Sequence, residues 1–261
     1  MLLIFHYWRR LNNMTNKVSS LFCSLIAIIR SLLFYAGFVI ITVSASIVTC
    51  SLFFLPFRLL QRIATNGNLL VMLWLRLTCN VRIQVFGKEN IPSQACVILS
   101  NHQSTWEAFY MQWFFQPANF ILKRELLWIP FFGWALFLMN PIAIKRSRPS
   151  SAIRYVLKQG AKRLNAGNNI VIYPEGTRVT DNQLGEFKTS GAALALQANT
   201  PVLPVSHNSG DHWQRSSFIM QPGTIKLRIG PIIEPEGLSA RDITEKARAW
   251  IATSLEMNKP T

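Results

Sequence analysis

From Ser31 to Phe57 the chain reads SLLFYAGFVIITVSASIVTCSLFFLPF, without one charged residue. A helix of about 20 apolar residues crosses the hydrocarbon core of a bilayer, so this run is long enough to live in lipid. A second apolar run, SSLFCSLIAII, precedes it and is separated from it only by Arg30. A cleaved signal peptide carries an apolar region of about 7–15 residues and a small-residue exit. This run is longer and lacks an A-x-A exit, so it is expected to stay in the mature protein. Basic residues flank it on both sides, so the positive-inside rule sets no orientation. One span and a re-entrant two-helix hairpin fit equally well.

The charge of the chain follows the same division. Net charge is +15, yet the first acidic residue is Glu89, preceded by Arg9, Arg10, Lys17, Arg30, Arg58, Arg62, Arg76, Arg82 and Lys88. A basic, apolar N-terminal third suits an anionic membrane surface, where each nearby Lys or Arg contributes about 1 kcal/mol. Nucleic acid is the competing partner for a basic protein. The chain has no zinc-ligand spacing, no RNP-type aromatic pattern and no basic helix free of apolar neighbours, so the expected partner is membrane lipid and not nucleic acid. Cys23, Cys50, Cys79 and Cys96 are scattered with no C-x-x-C pair, which points to neither a disulfide framework nor a metal site.

From Val81 onward the pattern changes. VRIQVFG, ACVILS, NFILK, PIAI, NIVIYP, PVLPVS and TIKLRIG read as strands. Between them Pro149 to Leu164, Phe187 to Ala198 and a segment opening at Ser239, with Asp242 three residues on, read as helices. Another helical stretch runs from Leu60 to Leu77. Near-continuously apolar strands alternating with helices indicate an α/β fold: a central mixed, mostly parallel sheet covered by helices on both faces. The expected organisation is an N-terminal membrane-anchoring segment with basic interfacial helices over residues 1–80, followed by an α/β domain over 81–261.

Three polar constellations sit at ends of these strands. In LSNHQSTWEAFY, Ser104 and Glu107 match the S-x-x-E capping box of a following helix. The same spacing lets Glu107 reach back to His102 and hold one ring nitrogen, leaving the other to accept a proton. In YPEGTR, Gly176 permits a tight turn. There the backbone amides, the Thr177 hydroxyl and the Arg178 guanidinium either converge on an anion or form a plain surface turn. The third segment, Lys123 to Arg146, encloses LLWIPFFGWALFLM, too short for a span. It is either a core helix or a membrane-facing, acyl-chain-lining piece. His207 and His212, in SHNSGDHW, read as a polar loop in preference to a metal site.

These blocks, with PVLPV at Pro201–Val205, occur in an order that resembles the membrane-bound glycerolipid acyltransferases, most closely the bacterial 1-acyl-glycerol-3-phosphate acyltransferases. The resemblance covers about Val81 to Gly230 and rests on N-H-x-x-x-x-E at Asn101–Glu107, K-R-E-L…P…G…I-x-R at Lys123–Arg146, Y-P-E-G-T-R at Tyr173–Arg178, and the PVLPV block. It implies that His102 is the general base and that Glu107, where many members have Asp, orients it. It also implies that Arg146, Glu175, Gly176, Thr177 and Arg178 serve the acceptor's phosphate; where relatives often carry an acid beside the arginine, this chain has Lys145. Asn101, Lys123 and Pro204 are assigned acyl-donor or structural roles.

The implied reaction moves a fatty acyl group from acyl-CoA or acyl carrier protein to the sn-2 hydroxyl of lysophosphatidic acid. No metal or bound cofactor is expected, because a thioester is already activated. The implied location is the bacterial inner membrane, with the catalytic domain on the cytoplasmic side where the donors are made. The absence of G-x-S-x-G argues against an acyl-enzyme of the α/β-hydrolase kind, so transfer is expected to be direct. The competing expectations are the same chemistry on glycerol-3-phosphate, an ornithine lipid or another lysophospholipid, a non-catalytic lipid-binding scaffold, and a hydrolase in which water replaces the alcohol.

Overall fold

The computed structural model describes residues 2–145, 149–179 and 184–258, with side chains from residue 22 onward. The N-terminal apolar region forms one continuous helix, α1 (Leu2–Ser51), about 75 Å long at 1.5 Å per residue. Within it Phe22–Ser51 is long and apolar enough to cross a membrane. After a turn at Leu52–Leu55 and Pro56 the chain enters α2 (Phe57–Cys79), which ends at Asn80 in the left-handed conformation that closes helices. The two helices pack along each other. An ideal Cβ on Gly67 would lie 2.5 Å from Ala45 Cβ, so the bare glycine is what lets α2 approach α1 this closely.

Seven strands follow: β1 (Val81–Phe86), β2 (Val97–Ser100), β3 (Ala118–Lys123), β4 (Ile142–Ile144), β5 (Asn169–Ile172), β6 (Val202–His207) and β7 (Gly223–Ile229). They form one sheet in the order β1-β7-β6-β2-β5-β3-β4. Every neighbouring pair is parallel except β6–β7. The helices between and after them are α3 (Trp106–Phe114), α4 (Phe132–Leu138), α5 (Pro149–Asn165), α6 (Ser190–Ala198) and α7 (Ala240–Glu256). All seven strand segments read from the sequence are present, and the expected capping box at Ser239 and Asp242 opens α7.

Side chains of a strand alternate between faces, and here that alternation divides the core. Ile98, Val171, Leu203 and Val205 point to one face and join Phe34 of α1, Val71 and Leu75 of α2, and Trp106 and Met111 of α3. Val97, Leu99, Ile170, Ile172 and Val202 point to the other and pack with Val156 of α5, Leu194 of α6 and Ile243 of α7. The packing therefore continues across position 80 into the N-terminal helices. Buried Gln61 of α2 secures the junction, donating from Nε2 to the Ala118 carbonyl at 2.6 Å and accepting the Ala118 amide at 3.2 Å.

The Trp- and Phe-rich segment after β3 serves two faces. Trp128 (73 % exposed), Trp134 and Phe137 (67 % exposed) point outward, while Leu126, Phe132, Leu136 and Met139 line a cleft.

Replacing Gly67 by Leu should force α1 and α2 apart, costing about 1–3 kcal/mol as for other overpacked contacts. A lowered unfolding midpoint of the purified protein in detergent would register it, whereas an unchanged midpoint would show that the helices do not depend on this contact.

Candidate active site

The parallel strands β2 and β5 both end at the same edge of the sheet, beside β3 and β6. In open α/β sheets ligands collect at such carboxyl ends. Past Ser100, the Asn101 side chain donates to the His207 carbonyl (2.8 Å) and accepts the His207 amide (3.1 Å). It thus continues the β2–β6 pairing one residue beyond the ladder. With Asn101 fixed, the next residue, His102, is turned out of the sheet.

His102 Nδ1 lies 2.7 Å from Glu107 Oε1. The ring is 14 % exposed and the carboxylate 0 %. Tyr173, at the end of β5, stacks on the imidazole with centroids 4.2 Å apart and planes inclined 12°. Glu107 also accepts from the amides of Gln103 (2.8 Å) and Ser104 (2.9 Å) and from the hydroxyls of Ser104 (2.8 Å) and Ser209 (2.9 Å). The dyad is formed, whereas the expected capping box is not: Glu107 takes the Ser104 amide, but α3 starts from Thr105, which makes no side-chain cap bond, and the Ser104 hydroxyl takes the Trp106 amide.

Burial alone would raise the Glu107 pKa, but the neighbouring imidazoles of His207 and His102 and the Ser104 hydrogen bond hold it down to about 2. An ionised carboxylate on Nδ1 fixes the proton there and leaves Nε2 as the basic atom; Nε2 makes no hydrogen bond among the described residues. The arrangement is that of a general base with its orienting acid.

His102 opens on a cleft of about 1000 Å³ between the sheet edge and helices α1 to α5. Ala45, Val71, Phe109 and Met139 give it apolar walls, whereas Lys123, Arg178, Lys188 and Arg215 bring positive charge to its lining, with Glu186 also on it. Gly176 holds φ +73°, and Lys188 Nζ lies 3.1 Å from where its Cβ would stand, so an ammonium caps the turn that carries Thr177 and Arg178. Arg215 donates to the Arg178 carbonyl at 3.3 Å.

Of the residues singled out on the sequence, His102, Lys123, Gly176, Thr177 and Arg178 line this cavity. Glu175, grouped there with the phosphate contacts, turns the other way. It is buried, and its Oε1 accepts the amide of His102 at 3.2 Å. Burial pushes its pKa up to about 7 against the pull of that amide. Asn101 is the strand-end clamp described above. Pro204 is buried within β6 opposite Leu99 and offers its carbonyl to Gly230. Arg146 lies outside the described residues. Sequence reasoning gave Tyr173 no role of its own and passed over Lys188, Arg215 and Ser209; His207, read there as part of a polar loop, is instead the buried last residue of β6. His207 is buried against Asn101 and Ser209, while His212 bonds the Gln221 carbonyl elsewhere.

A buried imidazole–carboxylate pair facing a cavity lined by both cationic and apolar side chains is the arrangement of a general-base site. Residues 82–208 match the family model described as Acyltransferase. The chain is 43 % identical over 245 residues to the 1-acyl-sn-glycerol-3-phosphate acyltransferase of Pseudomonas aeruginosa, covering 91 % of this chain and 94 % of that one. It is 30 % identical over 177 residues to the human 1-acyl-sn-glycerol-3-phosphate acyltransferase alpha, covering 67 % of this chain and 62 % of that one. The crystal structure of the 1-acyl-sn-glycerophosphate acyltransferase of Thermotoga maritima shares the fold, with a TM-score of 0.78 at 23 % identity over 91 % of this chain and 98 % of that one. The chain belongs to the acyltransferase family.

The two site carboxylates should titrate with opposite sign. Folding lowers the Glu107 pKa from 4.5 to about 2, so its ionised form stabilises the fold above about pH 4.5 and that stability is withdrawn as the pH falls toward 2. Across that interval the wild type should lose about 3 kcal/mol more than Glu107→Gln, measured as unfolding free energy against pH. Glu175 is raised from 4.5 to about 7, so it makes stability decline as the pH climbs between those values, and Glu175→Gln should lack that decline.

Proposed function

We propose that this acyltransferase esterifies the sn-2 hydroxyl of 1-acyl-glycerol-3-phosphate with an acyl group from acyl-CoA or acyl carrier protein, giving phosphatidic acid. The observation that carries the reading is that His102 and Arg178 open on the same cavity, part of whose wall is apolar. The names of the relatives support the acceptor, and the family implies lipid substrates and an acyl donor.

In this reaction the phosphate of the lysolipid sits against Lys123, Thr177 and Arg178, and its acyl chain follows the apolar walls toward α1 and α2. The free hydroxyl then meets His102 Nε2. As its oxygen attacks the thioester carbonyl, the proton passes to Nε2, and Glu107 stabilises the imidazolium that forms. The tetrahedral intermediate collapses with cleavage of the acyl–sulfur bond, and the thiolate takes the proton back from the imidazolium. Holding alcohol and thioester together contributes the orientation that a bimolecular encounter lacks. The thioester is already activated, so the scheme draws on no metal or bound cofactor.

Apolar residues exposed along α1, together with Trp128, Trp134 and Phe137, suit association with a membrane. The proposed place is the bacterial inner membrane, with the sheet on the cytoplasmic side where acyl thioesters are made.

The test is incubation of the purified protein with labelled acyl-CoA or acyl carrier protein and, separately, lysophosphatidic acid, glycerol-3-phosphate and other lysophospholipids. Label should enter phosphatidic acid; none doing so refutes the acceptor, and release of free fatty acid without any acceptor would indicate a hydrolase. His102→Ala should lose about 10²–10⁴-fold in turnover while still co-sedimenting with anionic vesicles, which separates an enzyme from a lipid-binding scaffold.

A further inference from the structure

Behind the dyad lies a buried polar group with no part in the scheme above. His207 and Ser209 are both fully buried, at the end of β6 and just beyond it. The Asn101 carbonyl can only accept, so His207 Nε2, 3.0 Å from it, carries a proton. His207 Nδ1 faces Ser209, at 3.0 Å from its Oγ and 3.4 Å from its amide. On its other side the Ser209 hydroxyl lies 2.9 Å from Glu107 Oε2 and 2.8 Å from Ser104 Oγ. With its proton on Nε2, His207 Nδ1 is bare and takes the Ser209 amide, which leaves the single hydroxyl proton of Ser209 for Glu107 Oε2.

From this geometry we infer that Ser209, its amide held by the His207 imidazole, is a positioning residue for acyl transfer: it fixes the Oε2 end of Glu107 so that Oε1 stays aimed at His102. The argument turns on glutamate having one more rotatable bond than aspartate. A longer acid needs a restraint on its far oxygen if its near oxygen is to hold one direction. Ser104 supplies part of that restraint from the same loop, and Ser209 supplies the rest from the neighbouring strand. Glu107 is fully buried, and losing a donor to a buried charge costs more than losing one in water.

This inference rests on the acyl-transfer reading, and its test keeps the two apart. Ser209→Ala should lower kcat by about 10- to 100-fold, the cost of one hydrogen bond to a charged group, with KM for lysophosphatidic acid unchanged within twofold. In a Glu107→Gln background, assayed at high enzyme concentration, the same substitution should change the rate by less than twofold, because Ser209 acts only through that carboxylate. Should Ser209→Ala fail to fold, Ser209→Cys keeps a weak donor at nearly the same volume and should give an intermediate kcat at wild-type KM. Full kcat in the serine variants, or an equal loss in both backgrounds, overturns the assignment. Failure of the wild type to make phosphatidic acid would instead refute the functional reading and leave the role of Ser209 to be read in whatever acyl transfer the protein does perform.

Discussion

The site is organised around one fully buried carboxylate. Removing Glu107 from water is costly unless its charge is met by donors, and the fold brings those donors from different parts of the chain: the Gln103 and Ser104 amides, the Ser104 and Ser209 hydroxyls, and His102 Nδ1. Each constrains the loop that supplies it. The Asn101 clamp brings the end of β6, and with it Ser209, to the end of β2. The stack of Tyr173 on His102 and the bond from the Val179 amide to the His102 carbonyl (2.8 Å) tie the loop after β5 to the same point. Base, orienting acid and cationic turn thus share one set of strand ends.

The cavity in front of that carboxylate explains why an acyltransferase of this kind carries its helices on one end. α1 and α2 are part of the main core through Phe34, Val71 and Leu75, yet much of α1 beyond that contact is apolar and exposed. The same helices supply apolar wall to the cavity. A lipid whose head is held by Lys123 and Arg178 can therefore keep its tail against surfaces continuous with those that suit a bilayer. The aromatic segment after β3 repeats the pattern on a smaller scale, with Trp134 outward and Leu136 inward.

Local features were legible in the sequence because they are set by neighbours along the chain. The apolar strands, the Ser239 capping box and the spacing of His102 to Glu107 each depend on residues within a few positions of one another. The spacing that suggested a capping box serves the dyad instead: Glu107 holds His102 and the Ser104 amide, while Thr105 stands at the start of α3. What could not be read was adjacency between strands. Ser209 and His207 lie about a hundred residues from Glu107, and only the β2–β6 pairing makes them neighbours. Glu175 was misplaced for a related reason: the motif shows which residues share a turn but not which side each presents, and the buried side of that turn is where a carboxylate can meet the His102 amide. The continuity of α1 was equally hidden, since Arg30 breaks the apolar pattern while its side chain donates to the Thr78 carbonyl at 2.7 Å.

Everything depends on an ionised acid holding the proton of the His102 ring on Nδ1. Nitrogen-15 NMR of the protein labelled at histidine, followed across pH, reads this directly once His102 is assigned by substitution. The account requires a protonated, hydrogen-bonded Nδ1 and a bare Nε2 at His102. A His102 signal showing the proton on Nε2 would mean that the nitrogen facing the cavity cannot take up the alcohol's proton.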